Sequence, residues 1–508
     1  MTGHRKLIFG AFALAVVISS FWIAMAGMGA TGGGEAQLAV FVYLLLVYAA
    51  MTYIIWNVVP AENILKEGII GLGLIAIVLY AMTHVFVDYA AGHRVMASMN
   101  DQSLSIYEVL PHHVYTPELR LILDNIQIKS GSAFMMDGGI DVWVLILKEA
   151  GFHQIPLNNI PVNEPGIMYL YAFIMRLAQE HIPYLMLLTN WTAHIFSALI
   201  IYCLCFERLG RIVSGLASGL FLVSPENIYW GATIYKDGLS TLIILLIIYA
   251  FIRVREGAKY YYLLFSVALI YLAFLRSGFV VPIIVIGLLL MLVADRKGVG
   301  KRVFTYILVV VTTAVVFWTI DPQGAANNIL QKSVIRVFDK LRSGSTSHLD
   351  VENITYRTTK EESLTHRVGG GDLNLSKTYF VPLRILSYLI APFPPMHRNN
   401  RSDSFILPNT YFFSLLLVPF ALGFMRSFLP SQGGVVRDLS ISFVILGTAI
   451  AFAGPFVYER YRLGITPLFL IIALAYLAEA SWLNRFRMIL LSVALWAALL
   501  VTWILLKT

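Results

Sequence analysis

The sequence predicts an all-α polytopic membrane protein of about 13 transmembrane helices, joined by short turns and by two large extracytoplasmic loops. Three observations carry that expectation. A chain of 508 residues that is 58% hydrophobic and only 13% charged, with a mean hydropathy of +0.75, lies outside the range of soluble domains. Apolar runs long enough to cross a bilayer recur from Leu7 to the C-terminus, more than a soluble core could bury. The Lys and Arg residues fall between those runs, and they alternate as the two sides of a membrane require.

In chain order, residues 1–88 carry three spans, near 7–29, 36–59 and 67–88. The first follows His4-Arg5-Lys6 and is too long for the apolar region of a signal peptide, so it reads as a retained span. Residues 89–183 form the first large loop, with a short apolar piece at 165–175. Residues 184–320 hold six spans, near 184–206, 211–229, 237–254, 259–275, 278–295 and 302–320. Residues 321–408 form the second loop, whose apolar piece at 378–393 runs into the breaker Pro392-Phe393-Pro394-Pro395. Residues 409–508 close the chain with spans near 409–426, 439–457, 463–480 and 488–506.

Both short apolar pieces read as interfacial helices, and the charges support that choice. With a cytoplasmic N-terminus, Lys66, Arg208, Arg211, Arg253, Arg255, Lys259, Arg296 to Arg302, Arg426, Arg437, Arg485 and Arg487 all fall inside. Counting the two pieces as spans would put Arg208 and the Arg296–Arg302 cluster outside. The expected location is therefore a cytoplasmic (inner) membrane, crossed many times, with both large loops outside.

The net charge of +8 is scattered between apolar runs, which excludes nucleic acid as the natural partner. Cys203 and Cys205 sit within one apolar run and read as inert packing residues. His112-His113 matches no zinc spacing and reads as surface. No phosphate-cradling glycine loop or nucleophile elbow occurs. The sequence requires no cofactor and leaves a divalent cation possible.

The residues that could carry chemistry are those that strain the topology: carboxylates where apolar helices begin, and cations at outer helix ends. Asp137 and Asp141 share a face if their segment is helical, and a carboxylate at an apolar surface can serve as a general base. A helix cap followed by glycine turns explains the same residues equally well. An apolar stretch then runs to Ala150-Gly151, and Asn163-Glu164-Pro165-Gly166 follows. Further on, Ser224-Pro225-Glu226 and Tyr229-Trp230-Gly231 precede Lys236-Asp237 at the outer start of a span. The macrodipole explains Asp237, whereas Lys236 opposes both the dipole and the charge rule and calls for an anionic partner. Arg460 and Arg462, between tyrosines at an outer helix start, suit bidentate phosphate binding better than plain anchoring. With Arg276, Arg384, His397 and Arg398 they outline a basic outer-leaflet pocket for a lipid phosphate.

The order of these features resembles the GT-C superfamily of membrane glycosyltransferases, in particular relatives of the protein mannosyltransferases and the lipid A aminoarabinose transferase. The likeness rests on the loop from Asp137 to Gly151 with Glu164-Pro165 and Tyr169-Leu170-Tyr171, on Asn190 to Arg211, on Ser224 to Asp237, and on Arg460-Tyr461-Arg462 with Pro467. It covers residues 130–300 and, more loosely, 380–480. The resemblance implies inverting transfer of a sugar from a polyprenyl-phosphate-linked donor to an envelope lipid, glycan or protein acceptor at the outer membrane face. Asp137 or Asp141 would be the base, Asp237 would orient the acceptor or a cation, and Lys236, Arg276, Arg460, Arg462 and Glu164 would bind the substrate or its lipid phosphate. Two alternatives stay open: a polysaccharide polymerase or ligase of O-antigen type, and a transporter of lipid-linked glycans. Against the transporter, mid-span ionisable residues are almost confined to His84 and His194.

Overall fold

The computed structural model describes residues 103–105, 115, 117–125, 127–129, 140–151, 166–177, 183–224, 227, 230–231, 234–293, 299–320, 413–429, 434–453 and 463–507. Expectations for the three N-terminal spans, for most of the two loops and for Arg384, His397 and Arg398 lie outside these residues. The described chain is helical apart from turns and one antiparallel pair of three-residue strands, β1 (Ser103–Ser105) and β2 (Gln127–Lys129), with Leu104 opposite Ile128. That pair leaves the described chain overwhelmingly helical. It is too short to show an alternating pattern in sequence.

The helices are α1 (Pro117–Leu123), α2 (Ile140–Ala150), α3 (Gly166–Leu177), α4 (Pro183–Val223), α5 (Asp237–Arg255), α6 (Tyr261–Arg276), α7 (Val280–Val293) and α8 (Val299–Ile320). After the second loop come α9 (Leu417–Ser427), α10 (Val435–Ala453), α11 (Thr466–Glu479) and α12 (Trp482–Lys507). Helix is thus present in the described part of every span expected from residue 184 onward. Among the described residues four stretches are long and apolar enough to cross a membrane: Asp237–Arg255, Tyr261–Val293, Val299–Ile320 and Trp482–Leu499. Helix α5, with 19 residues, is about 29 Å long, close to the hydrocarbon thickness of a bilayer.

Two breaks shape these runs. Helix α4 is two helices meeting at Gly210, whose φ of 82° places it in the left-handed region that glycine tolerates and other residues resist. The 33-residue stretch Tyr261–Val293 would be about 50 Å long if straight, too long for one crossing. It is interrupted at Arg276, and a 3-10 turn over Ser277–Phe279 reverses it. The reversal is read from its arms: Phe265 on α6 and Gly287 on α7 both pack on Phe251 and Tyr306, and Tyr306 donates a hydrogen bond to the Ile284 carbonyl at 2.9 Å.

By its internal contacts the chain divides into two compact units. One comprises residues 1–199, 228–242 and 320–326, and the other 200–227, 243–319 and 327–508. In the first, α2 packs on α3, and Trp143 to Leu147 are buried as a continuous run. Gly151, at φ 85°, ends α2 with its N–H on the Leu147 carbonyl at 3.1 Å, a left-handed C-terminal stop.

In the second unit α11 is buried along most of its length, between α9 and α10, and α10 also packs on α7. Gly423 permits the close crossing of α9 and α11, since a Cβ there would lie 2.7 Å from the Ile472 carbonyl oxygen. Helices α8 and α12 expose broad apolar surfaces, among them Phe304, Leu308, Val311, Leu490 and Leu491, as lipid-facing helices do.

Five of the cations expected to share one side are engaged at helix ends of this unit. Arg208 pairs with Glu256, Arg253 with Glu207 at 2.9 Å, and Arg255 with the buried Asp438. Arg426 pairs with Glu479 at 2.8 Å, and Arg485 donates to the last carbonyls of α11, at Leu477, Ala478 and Ala480.

Candidate functional site

The candidate residues that the structure describes most fully, Lys236 and Asp237, open α5 in the first unit. No charged residue follows Asp237 until Arg253, and helix geometry begins with the Ser240 N–H on the Lys236 carbonyl at 2.8 Å. The hydroxyls of Ser240 and Thr241 return to the carbonyls of Lys236 and Asp237, at 2.7 and 2.9 Å. Asp237 is only 2% exposed, while Lys236 beside it is half-buried. A carboxylate in the first turn of a helix is favoured by the unpaired N–H groups and the positive end of the dipole, which is why burial is tolerated there.

Two side chains hold the preceding segment. Tyr171, on α3 and fully buried, donates its hydroxyl to the Ile234 carbonyl at 3.3 Å. Asn190, on α4 and 1% exposed, donates its amide to the Trp230 carbonyl at 3.1 Å. One turn further along the same face of α4, His194 is buried, and together with Asn190 it closes on Gly238: a Cβ there would meet Asn190 Oδ1 and His194 Nε2. The Trp230 and Tyr235 rings meet edge to face at 5.8 Å. The segment before α5 is thus fastened to α3 and α4 at main-chain atoms, with Lys236 and Asp237 at its end.

Asp141 lies in the first turn of α2, whose partner α3 carries Tyr171, so the acidic helix and Asp237 belong to the same unit. The described helix begins at Ile140, and Asp137 and Glu164 lie outside the described residues, as do Arg460 and Arg462. Arg276 belongs to the second unit, at the tip of the α6–α7 hairpin. It is 8% exposed, and its guanidinium is 5.5 Å from the centre of the Phe279 ring.

Part of one sequence motif has a structural role. In Ser224-Pro225-Glu226-Asn227, the Ser224 hydroxyl donates to the Phe221 carbonyl at 3.1 Å, and the Asn227 amide donates to the same oxygen, closing the end of α4. Cys203 and Cys205 are free thiols, Cys205 buried. Among the described residues no group of three or more His, Cys, Asp or Glu is arranged to hold a metal ion.

Sequence reasoning passed over Gly238 and gave Tyr171, Asn190 and His194 no role in the site. A polar pair four residues apart within an apolar helix was the signal available for the latter two. No protein-family model matches this sequence, and no curated protein matches it.

Proposed function

We propose that this protein is a membrane glycosyltransferase of the GT-C type, transferring a sugar from a polyprenyl-phosphate-linked donor to an envelope acceptor at the outer face of the cytoplasmic membrane. The observation that carries the proposal is the buried Asp237 beside the half-buried Lys236, at the start of a helix apolar enough to span. A cation and a carboxylate kept together at a helix end suit a substrate with an anionic link and neutral hydroxyls. Lys236 would neutralise the phosphate that departs with the lipid. Asp237 would orient the acceptor or a bound cation, while Asp137 or Asp141 takes the acceptor proton as the acceptor oxygen attacks the anomeric carbon and the bond to the departing lipid phosphate breaks.

The test is release of polyprenyl phosphate from labelled polyprenyl-phosphate hexoses by the purified protein in lipid nanodiscs. Wild type should release it in an acceptor-dependent manner. Asp237→Asn and Lys236→Gln should each reduce the rate by about 10²-fold or more. Folded wild-type protein that releases nothing from phosphate or pyrophosphate donors would remove the basis of the proposal.

A further inference from the structure

We propose that Tyr171 and Asn190 are positioning residues that set the place of Lys236 and Asp237 by gripping the backbone ahead of them; the catalytic part of this inference rests on the transferase reading above. The segment from Trp230 to Lys236 connects to α5, whose first turn Gly238 lets approach α4 closely. Its two described holds, Tyr171 to Ile234 and Asn190 to Trp230, are to carbonyl oxygens, so they fix the path of the chain independently of the side chains it carries. Both donors are buried, so water cannot replace them at little cost. They also come from different elements. Tyr171 belongs to the α2–α3 pair that carries Asp141, and Asn190 to the first arm of α4.

Asn190 has a second point of purchase. Its amide nitrogen holds Trp230, and its amide oxygen lies against Gly238, so one side chain registers the segment and the first turn of α5 at once. Lys236 and Asp237 lie between those two points in the chain. A loss at Asn190 therefore frees the segment from both directions, whereas a loss at Tyr171 detaches it from the acidic helix pair alone.

The test compares Tyr171→Phe and Asn190→Ala with Phe173→Leu, a half-exposed position on α3, in nanodiscs. Hydrogen exchange of the peptide covering residues 228–240 should rise about tenfold in the first two variants, and more in Asn190→Ala, with Phe173→Leu unchanged. In donor titrations the same two variants should raise the donor KM about tenfold, because Lys236 no longer meets the phosphate in place. Simple loss of folded protein would instead lower the maximal rate and leave KM alone. Unchanged exchange in both variants overturns the proposal, and so does faster exchange with an unaltered donor KM. Faster exchange together with a wild type that handles no polyprenyl-phosphate donor upholds the grip and overturns only the transferase reading.

Discussion

Replacing Gly238 by alanine sets two opposed effects against each other. Gly238 is the second residue of α5, and in an open helix alanine there would add up to about 1 kcal/mol of stability. Here the new Cβ would overlap Asn190 Oδ1 and His194 Nε2 and lie 2.8 Å from His194 Cδ2. Both side chains are buried, so neither can swing into solvent, and the strain must move α5 or the Asn190 amide. Overpacking of this kind costs roughly 1–3 kcal/mol. Displacing Asn190 also weakens its bond to the Trp230 carbonyl, about 1 kcal/mol more. The sum is a net loss of roughly 1–3 kcal/mol. Gly300, likewise the second residue of its helix, has nothing within 4 Å of an added Cβ and is the matched control. Gly300→Ala should be neutral or slightly stabilising. In detergent-purified protein followed by tryptophan fluorescence, Gly238→Ala should lower the melting temperature by a few degrees. A Gly238→Ala protein that melts at or above wild type would refute the close approach of α4 and α5.

Two further substitutions probe the second unit. Gly423→Ala should cost about 3 kcal/mol, the upper end for overpacking, because the added Cβ meets the Ile472 carbonyl, which has no rotamer to yield; a melting temperature equal to wild type would contradict the α9–α11 crossing. Asp438→Asn should destabilise by about 2–3 kcal/mol, below the full penalty for breaking a buried pair because Arg255 keeps some solvent contact, and the double change Arg255→Met with Asp438→Leu should recover most of the loss. A double variant as unstable as Asp438→Asn alone would show that the ion pair is not what holds α5 to α10.

What the sequence made legible was set by solvation along one dimension. The apolar runs from 184 onward foretold helix because backbone polar groups in lipid must pair within their own segment, and the gaps left between runs at 207–210 and 276–277 fell where the helices break. The short apolar piece at 165–175 is helical, as α3, Gly166–Leu177, with Ile167, Met168, Tyr171, Ala172 and Met175 buried. Cations expected on one side are engaged at helix ends of the second unit, and there a charge rule met a second constraint. Arg208, Arg253 and Arg255, selected for topology, also pair with Glu256, Glu207 and Asp438. A carboxylate at the start of an apolar run was the pattern used to select Asp237, and Asp438 fits it equally well, yet Asp438 pairs with Arg255 and joins two helices. The pattern identifies carboxylates that need a partner and is silent on whether that partner is protein or substrate. The same reasoning explains why Tyr171 and Asn190 were given no role in the site. A tyrosine on an amphipathic helix and an asparagine in an apolar one acquire meaning only when a carbonyl from some 40 to 63 residues away arrives beside them, and no local period encodes that arrival. The candidate site is therefore most legible where a cation and a carboxylate open an apolar helix, at Lys236 and Asp237. It is least legible in the neutral hydrogen bonds to the backbone just ahead of those two residues.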